Sequence, residues 1–258
     1  MKFGICATIA DYETVKQAGY DAIALAGKDI AAMSDSDFKQ ACAVVSAGSL
    51  RLTNLYAFCT PPTILAGAGH DLQVLRQYTE KVFGRSKELG ICYAGIGSPP
   101  SRVRPEGFPL EQMNAQMADS LKLLCEVGDK YGVEILLEAV CTQSNCSYIT
   151  RTSEALEMIS SLKLPNLNLV YDIYHAFMMG EGPEPILEAG SLIKVAHVSG
   201  NVGNVRGFLT ETNSQEYYPY VQALKKIGYT GELNIEPNSG DITKEAVPSL
   251  GILRSMYK

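Results

Sequence analysis

The chain has 258 residues and a formal net charge of −6, with 46% hydrophobic and 19% charged residues. That is enough to bury a large core, and it fits either two small domains or one α/β barrel. An acidic balance without a Lys/Arg stripe excludes nucleic acid as a natural partner, because phosphate neutralisation draws on clustered basic residues. No run of about 18 apolar residues is available to cross a membrane. The opening MKFGICATIADYE has no signal-peptide core, so a cytoplasmic protein is expected.

Apolar runs and amphipathic stretches alternate from end to end. KFGICAT (2–8) reads as a strand, followed by a helix ending at Gly19. YDAIALAG (20–27) is the second strand, and 34–49 its helix, capped by Ser34 or Asp35. Then come RLTNLYAFCT (51–60) with helix 70–90, and ICYAGIGSP (91–99) with helix 109–132. VEILLEAV (133–140) precedes a helix beginning TSEALEM, and LNLVYDIY (167–174) a short helix near PEPILEAG. LIKVAHVSG (192–200) leads to helix 214–228, and GELNIEPN (231–238) to a last helix from about Asp241. Gly19, Gly90, Gly132 and Gly228 stand where glycines close helices. Strands this evenly apolar are buried on both faces, as in a parallel sheet. Eight such units in this length predict one (β/α)8 TIM barrel spanning residues 1–258. An open doubly wound sheet fits less well, since its first turn is glycine-rich and CATIADY has no glycine.

Four consecutive strands end in a residue that can bind metal: Glu138 in LLEAV, Asp172 in VYDIYH, His197 in VAHVSG and Glu236 in NIEPN. Any one of these alone reads as a helix cap or a loop acceptor. Four on successive strands, at the barrel face where active sites sit, read as a site. Three carboxylates gathered there would repel one another unless a divalent cation joined them. Three oxygen donors with one imidazole suit Mn²⁺ first, then Mg²⁺, Co²⁺ or Fe²⁺, with Zn²⁺ also able to bind. His175, three residues beyond Asp172, is either a loop hydrogen-bonder or a substrate contact; His70 reads as an exposed residue opening a helix. Arg102 and Arg104, after the fourth strand, face an anionic substrate or solvent, and Arg206 is the one arginine of the loop after strand seven. LAGAGH, AGIGSPP and SGNVGNVRG match no phosphate loop, and no GxSxG occurs. The seven cysteines form no CxxC pair and read as reduced thiols, Cys141 and Cys146 as two separate thiols of one loop.

GSPPSRVRPEGF (97–108), LLEAV with NCSYITRTSEAL (145–156), YDIYH (171–175), AHVSG (196–200) and ALKKIGYTGELNIEP (223–237) together resemble the xylose isomerase-like barrel superfamily. That superfamily holds ketose 3-epimerases, hydroxypyruvate isomerases, inosose isomerases and dehydratases and, more distantly, endonuclease IV. The resemblance implies Glu138, Asp172, His197 and Glu236 as ligands of one divalent metal. It implies Glu138 and Glu236 as the pair that moves protons, His175 as a contact to a substrate oxygen, and Arg206 in place of the relatives' usual arginine; Arg102, from its loop, is expected to meet the small carbohydrate as well. It further implies a sugar or sugar phosphate isomerase or epimerase acting through an enediolate, commonly a homodimer or homotetramer. A dehydratase on a keto-sugar or keto-inositol would use the same site, as would a sugar-binding barrel without turnover. One departure stands out: relatives follow the strand-seven histidine with Asp-Arg or Gly-Arg and then Pro-Gly-x-Gly, where this chain has GNVGNVRGFLTE.

Overall fold

The near-continuous apolar runs become parallel strands: β1 Lys2–Cys6, β2 Ala22–Ala26, β3 Arg51–Tyr56, β4 Tyr93–Ile96, β5 Glu134–Glu138, β6 Leu167–Asp172 and β7 Ile193–Val198. Two short strands follow, β8 Gly200–Val202 and β9 Val205–Gly207, and then β10 Glu232–Ile235. These coordinates are a computed structural model that describes residues 1–203 and 205–258. Eight of the strands close a barrel in the order β1-β10-β7-β6-β5-β4-β3-β2, and β8 and β9 form a separate antiparallel hairpin. This is a TIM barrel, as the alternation of strands and helices predicts.

Side chains alternate across each strand, and the two faces bury different things. Ile135, Leu137, Leu169, Tyr171, Ala196, Val198, Leu233 and Ile235 pack outward in the large core shared with the helices. Leu136, Val170 and Val195 form a small cluster of their own, with Tyr93 against it. Leu136 pairs with Asn168, Val170 with Val195, and Asn234 with His197. The residues two further along the same strands, on the same side, are Glu138, Asp172, His197 and Glu236. The inner apolar layer is therefore the floor on which the candidate site stands.

Helix boundaries follow local chemistry. Ser34 caps Asp35–Ala47, its hydroxyl accepting the Asp37 N–H at 3.1 Å. Helix Leu72–Leu89 is capped by Asp71, whose Oδ1 accepts from the N–H groups of Gln73 and Val74, and it ends at Gly90 with φ 77°. His70 therefore precedes the helix. It is half-buried rather than exposed, with Nε2 2.9 Å from Ser120 Oγ.

Three elements differ from the sequence reading. A helix Gly27–Ala32 follows β2 directly, a helix Ile173–Met178 follows β6, and the loop after β7 folds as the β8–β9 hairpin. The first two are too short for helical periodicity to register. The third is glycine-rich and carries almost no apolar alternation.

Candidate active site and metal centre

Each strand end delivers its residue for a local reason. Asp172 is both a cap and a site residue. Its Oδ1 accepts the His175 N–H at 3.0 Å, starting helix Ile173–Met178, and this leaves Oδ2 turned inward. His197 pairs directly with Asp172 across β6 and β7. Glu236 continues β10, its N–H donating to Val198 O at 2.9 Å. Glu138 closes β5, and its carboxylate fits because residue 97 has no side chain: a Cβ on Gly97 would stand 2.2 Å from Glu138 Oε2.

One donor atom from each of Glu138, Asp172, His197 and Glu236 lies within 4.8 Å of the other three. Glu138, Asp172 and His197 are buried. His197 Nδ1 is 2.9 Å from Glu236 Oε2 and 3.6 Å from Glu138 Oε1, yet no hydrogen bond is aligned, and both ring nitrogens lack a hydrogen-bond partner among the described residues. Burial disfavours charge on this ring, but Glu236 and then Glu138 outweigh it and push its pKa up to about 10.

Arg206 reaches into the same cluster from the β8–β9 hairpin. Its Nη2 donates to Asp172 Oδ2 at 2.7 Å and to Glu236 Oε2 at 2.9 Å, its Nε donates to the Glu236 carbonyl, and its guanidinium lies 4.9 Å over the Tyr174 ring. Burial alone would raise the Asp172 carboxyl. The Arg206 charge, followed by the two imidazoles, holds it below the ordinary carboxylate range. Glu236 is lowered against burial by Arg206 and then His197. A buried carboxylate cluster with a positive group already among its oxygens is a cation-binding set. A histidine with unpartnered nitrogens facing it supplies the fourth donor. The residues present fit a divalent metal.

The cluster opens into a cavity of about 540 Å³, lined among others by Lys28, Tyr56, Glu138, His175, Arg206 and Glu236. That volume suits a small ligand. His175 reaches it from helix Ile173–Met178 rather than from a loop. Arg102 was expected to meet the substrate. It is fully buried, its Nη2 donates to the Glu138 carbonyl at 2.8 Å, and it is absent from the cavity lining. It holds the carbonyl that ends β5. Arg104 is exposed and tied to Phe108 O and Ser147 Oγ, away from this cavity.

Sequence reasoning missed several neighbours. Cys6 lies two residues beyond Gly4 on β1, and its sulfur joins His197 and Glu236 in a second close group. Burial first, then Glu236, pushes its thiol well above the usual range. Lys28 and Asp29 enter through the short helix Gly27–Ala32. Cys141 Sγ lies 3.1 Å from His175 Nδ1. Strand alternation would have found Cys6; the others depend on turns that carry no period.

Comparison with known proteins gives the family and the fold. The inosose isomerase of Bacillus subtilis (strain 168) is 27% identical over 158 residues, 58% of this chain and 55% of that protein. The L-ribulose 3-epimerase of Methylomonas sp. (strain DH-1) is 25% identical over 71% of this chain and 60% of that protein. The matches thus span little more than half the length of these relatives. Among solved structures, D-psicose 3-epimerase from Clostridium cellulolyticum H10, determined with D-tagatose, superposes with a TM-score of 0.84 at 18% identity over the whole of both chains. The IOLI protein with a bound zinc atom superposes at 0.72 with 20% identity, over 99% of this chain and 96% of that one. The family model of the xylose isomerase-like TIM barrel matches residues 12–256. This chain belongs to the xylose isomerase-like TIM barrel family.

Proposed function

We propose that the protein is a metal-dependent isomerase or epimerase of a small carbohydrate with a carbonyl beside a hydroxylated carbon. One observation carries the reading: Glu138, Asp172, His197 and Glu236, delivered by four adjacent strands, converge within 4.8 Å, and the two glutamates line one cavity. Glu138, Asp172, His197 and Glu236 would hold a divalent ion, Mn²⁺ first among the candidates. The relatives named above, an inosose isomerase and an L-ribulose 3-epimerase, support the substrate class. A bound divalent ion supplies Lewis-acid stabilisation of the negative charge that develops on substrate oxygen.

The chain's own residues do the rest. β10, β7, β6 and β5 are consecutive in the barrel wall, so Glu236 and Glu138 reach the cavity from the two sides of Asp172 and His197. One carboxylate takes the proton from the carbon next to the carbonyl, and the C–H electron pair moves toward the carbonyl oxygen, giving an enediolate. The other glutamate returns a proton. Return to the opposite face of the same carbon inverts it; return to the neighbouring carbon, with the hydroxyl proton of the first carbon passing to the other oxygen, exchanges aldose and ketose. His175 and Arg206 line the cavity and would hold substrate oxygens.

The test is a panel of ketoses and inososes in D₂O with Mn²⁺, followed by NMR for carbon-bound deuterium. Wild type should convert a member of the panel with exchange. Glu138→Gln and Glu236→Gln should each lose turnover by at least ~10², and one of them should still exchange a C–H without forming product. Near-normal turnover in both variants would overturn the assignment of the glutamates.

A further inference from the structure

Of the three histidines in the chain, His175 has both ring nitrogens engaged. Its Nε2 lies 3.0 Å from Arg206 Nη1, and its Nδ1 lies 3.1 Å from Cys141 Sγ. A guanidinium has donors and no acceptor. Nε2 must therefore offer its lone pair, and the single proton of the neutral ring must sit on Nδ1, pointing at sulfur. Cys141 in turn has an acceptor for its own hydrogen, Ser144 Oγ at 3.5 Å. Hydrogen bonds thus run from Arg206 to His175 and on to Cys141, whose sulfur and the Ser144 hydroxyl can pair in either direction. The opposite tautomer would set Nε2–H against the guanidinium N–H, donor against donor. Cys141 and His175 are both largely withdrawn from solvent, so that clash is costly.

We propose that Cys141 is a positioning residue for this site: by accepting the Nδ1 proton it acts together with Arg206 to hold the His175 tautomer in which Nε2 is a hydrogen-bond acceptor. Such a nitrogen receives a guanidinium or a substrate hydroxyl and offers nothing to a carbonyl or phosphate oxygen. The hydroxyl part of this statement rests on the carbohydrate reading above; the tautomer does not.

The test is nitrogen NMR of the full chain labelled at histidine, metal-free and again with diamagnetic Zn²⁺. In both states His175 should show a protonated Nδ1 and a bare Nε2. Cys141→Ala should shift His175 toward a mixture of tautomers, and Cys141→Ser, whose hydroxyl still accepts, should restore the wild-type pattern. A wild-type His175 protonated at Nε2, or His175 signals unchanged in Cys141→Ala, would overturn the proposal. If Cys141→Ala does not fold, the wild-type and Cys141→Ser spectra decide, since the proposal requires the same Nδ1–H pattern in both. The His197 signals report separately: no change there on adding Zn²⁺ would count against the metal centre while leaving the His175 result intact.

Discussion

Two residues around the candidate centre show how little freedom it has. Gly97 contributes only its missing side chain, and that space is filled by the Glu138 carboxylate. Gly97 has no left-handed backbone conformation to protect, since it is not among the positive-φ residues. The effect of Gly97→Ala should therefore come from displacing the carboxylate. The expected outcome is a folded protein, unchanged in far-UV circular dichroism, with metal affinity and turnover each reduced by at least ~10-fold, the scale on which small misplacements of reacting groups are felt. Arg206 is the converse case, a side chain whose charge compensates two buried carboxylates. Arg206→Ala leaves Asp172 and Glu236 without their guanidinium. In metal-free protein this should cost about 3 kcal/mol in denaturant unfolding, the scale for removing one partner of a buried ion pair. The same variant should bind a divalent ion more tightly than wild type, because the ion no longer competes with the arginine; weaker binding on calorimetry would show that Arg206 helps to hold the ion site together.

At the scale of elements, strand ends and helix starts are coupled. Asp172 ends β6 and caps the following helix with one oxygen while turning the other inward, so the cap orients the site oxygen. Capping elsewhere is purely structural, and Asp71 provides the comparison. Its Oδ1 takes two N–H groups at the start of helix Leu72–Leu89, far from the cavity. Asp71→Ala should cost about 1 kcal/mol of stability, seen as a lower midpoint in urea, with no change in metal affinity. Any loss of metal binding in that variant would mean that this helix end and the barrel mouth are mechanically linked.

For the whole molecule, the barrel's stagger gathers four donors into a buried set whose protonation responds to pH. The raised pKa of His197, about 10, has two consequences with opposite signs. In metal-free protein the folded state holds a proton that the unfolded chain releases near 6.5. This stabilisation is fully present below that value and is lost as pH rises toward 10. Metal binding must displace the proton, so affinity should rise with pH, by about tenfold per unit between pH 7 and 9 for one proton released. Thermal unfolding with and without Mn²⁺ across that range should show the metal-dependent increment growing with pH, reaching about 2.7 kcal/mol when the free ion is at 100 times its Kd. His197→Ala should remove both trends. An increment independent of pH would place the proton, or the ion, elsewhere.

Much of this architecture is legible in the chain itself. Apolar runs such as IALA and ILL require burial on both faces, and their alternation with amphipathic stretches leaves the barrel as the economical closure. The strand-end positions of Glu138, Asp172, His197 and Glu236 follow from the same runs, because a polar residue can end a buried strand only where the wall meets the cavity. What tertiary structure alone decided is where side chains beyond the strands point. Arg102 and Arg206 look alike in sequence, each an arginine in a loop at the barrel mouth. One is buried with its guanidinium on the carbonyl that ends β5, and the other lies among the carboxylates. Cys141, Lys28 and the cavity lining depend in the same way on short helices and a hairpin. A turn of a few residues has no period, so its direction is set by packing against segments distant in the chain.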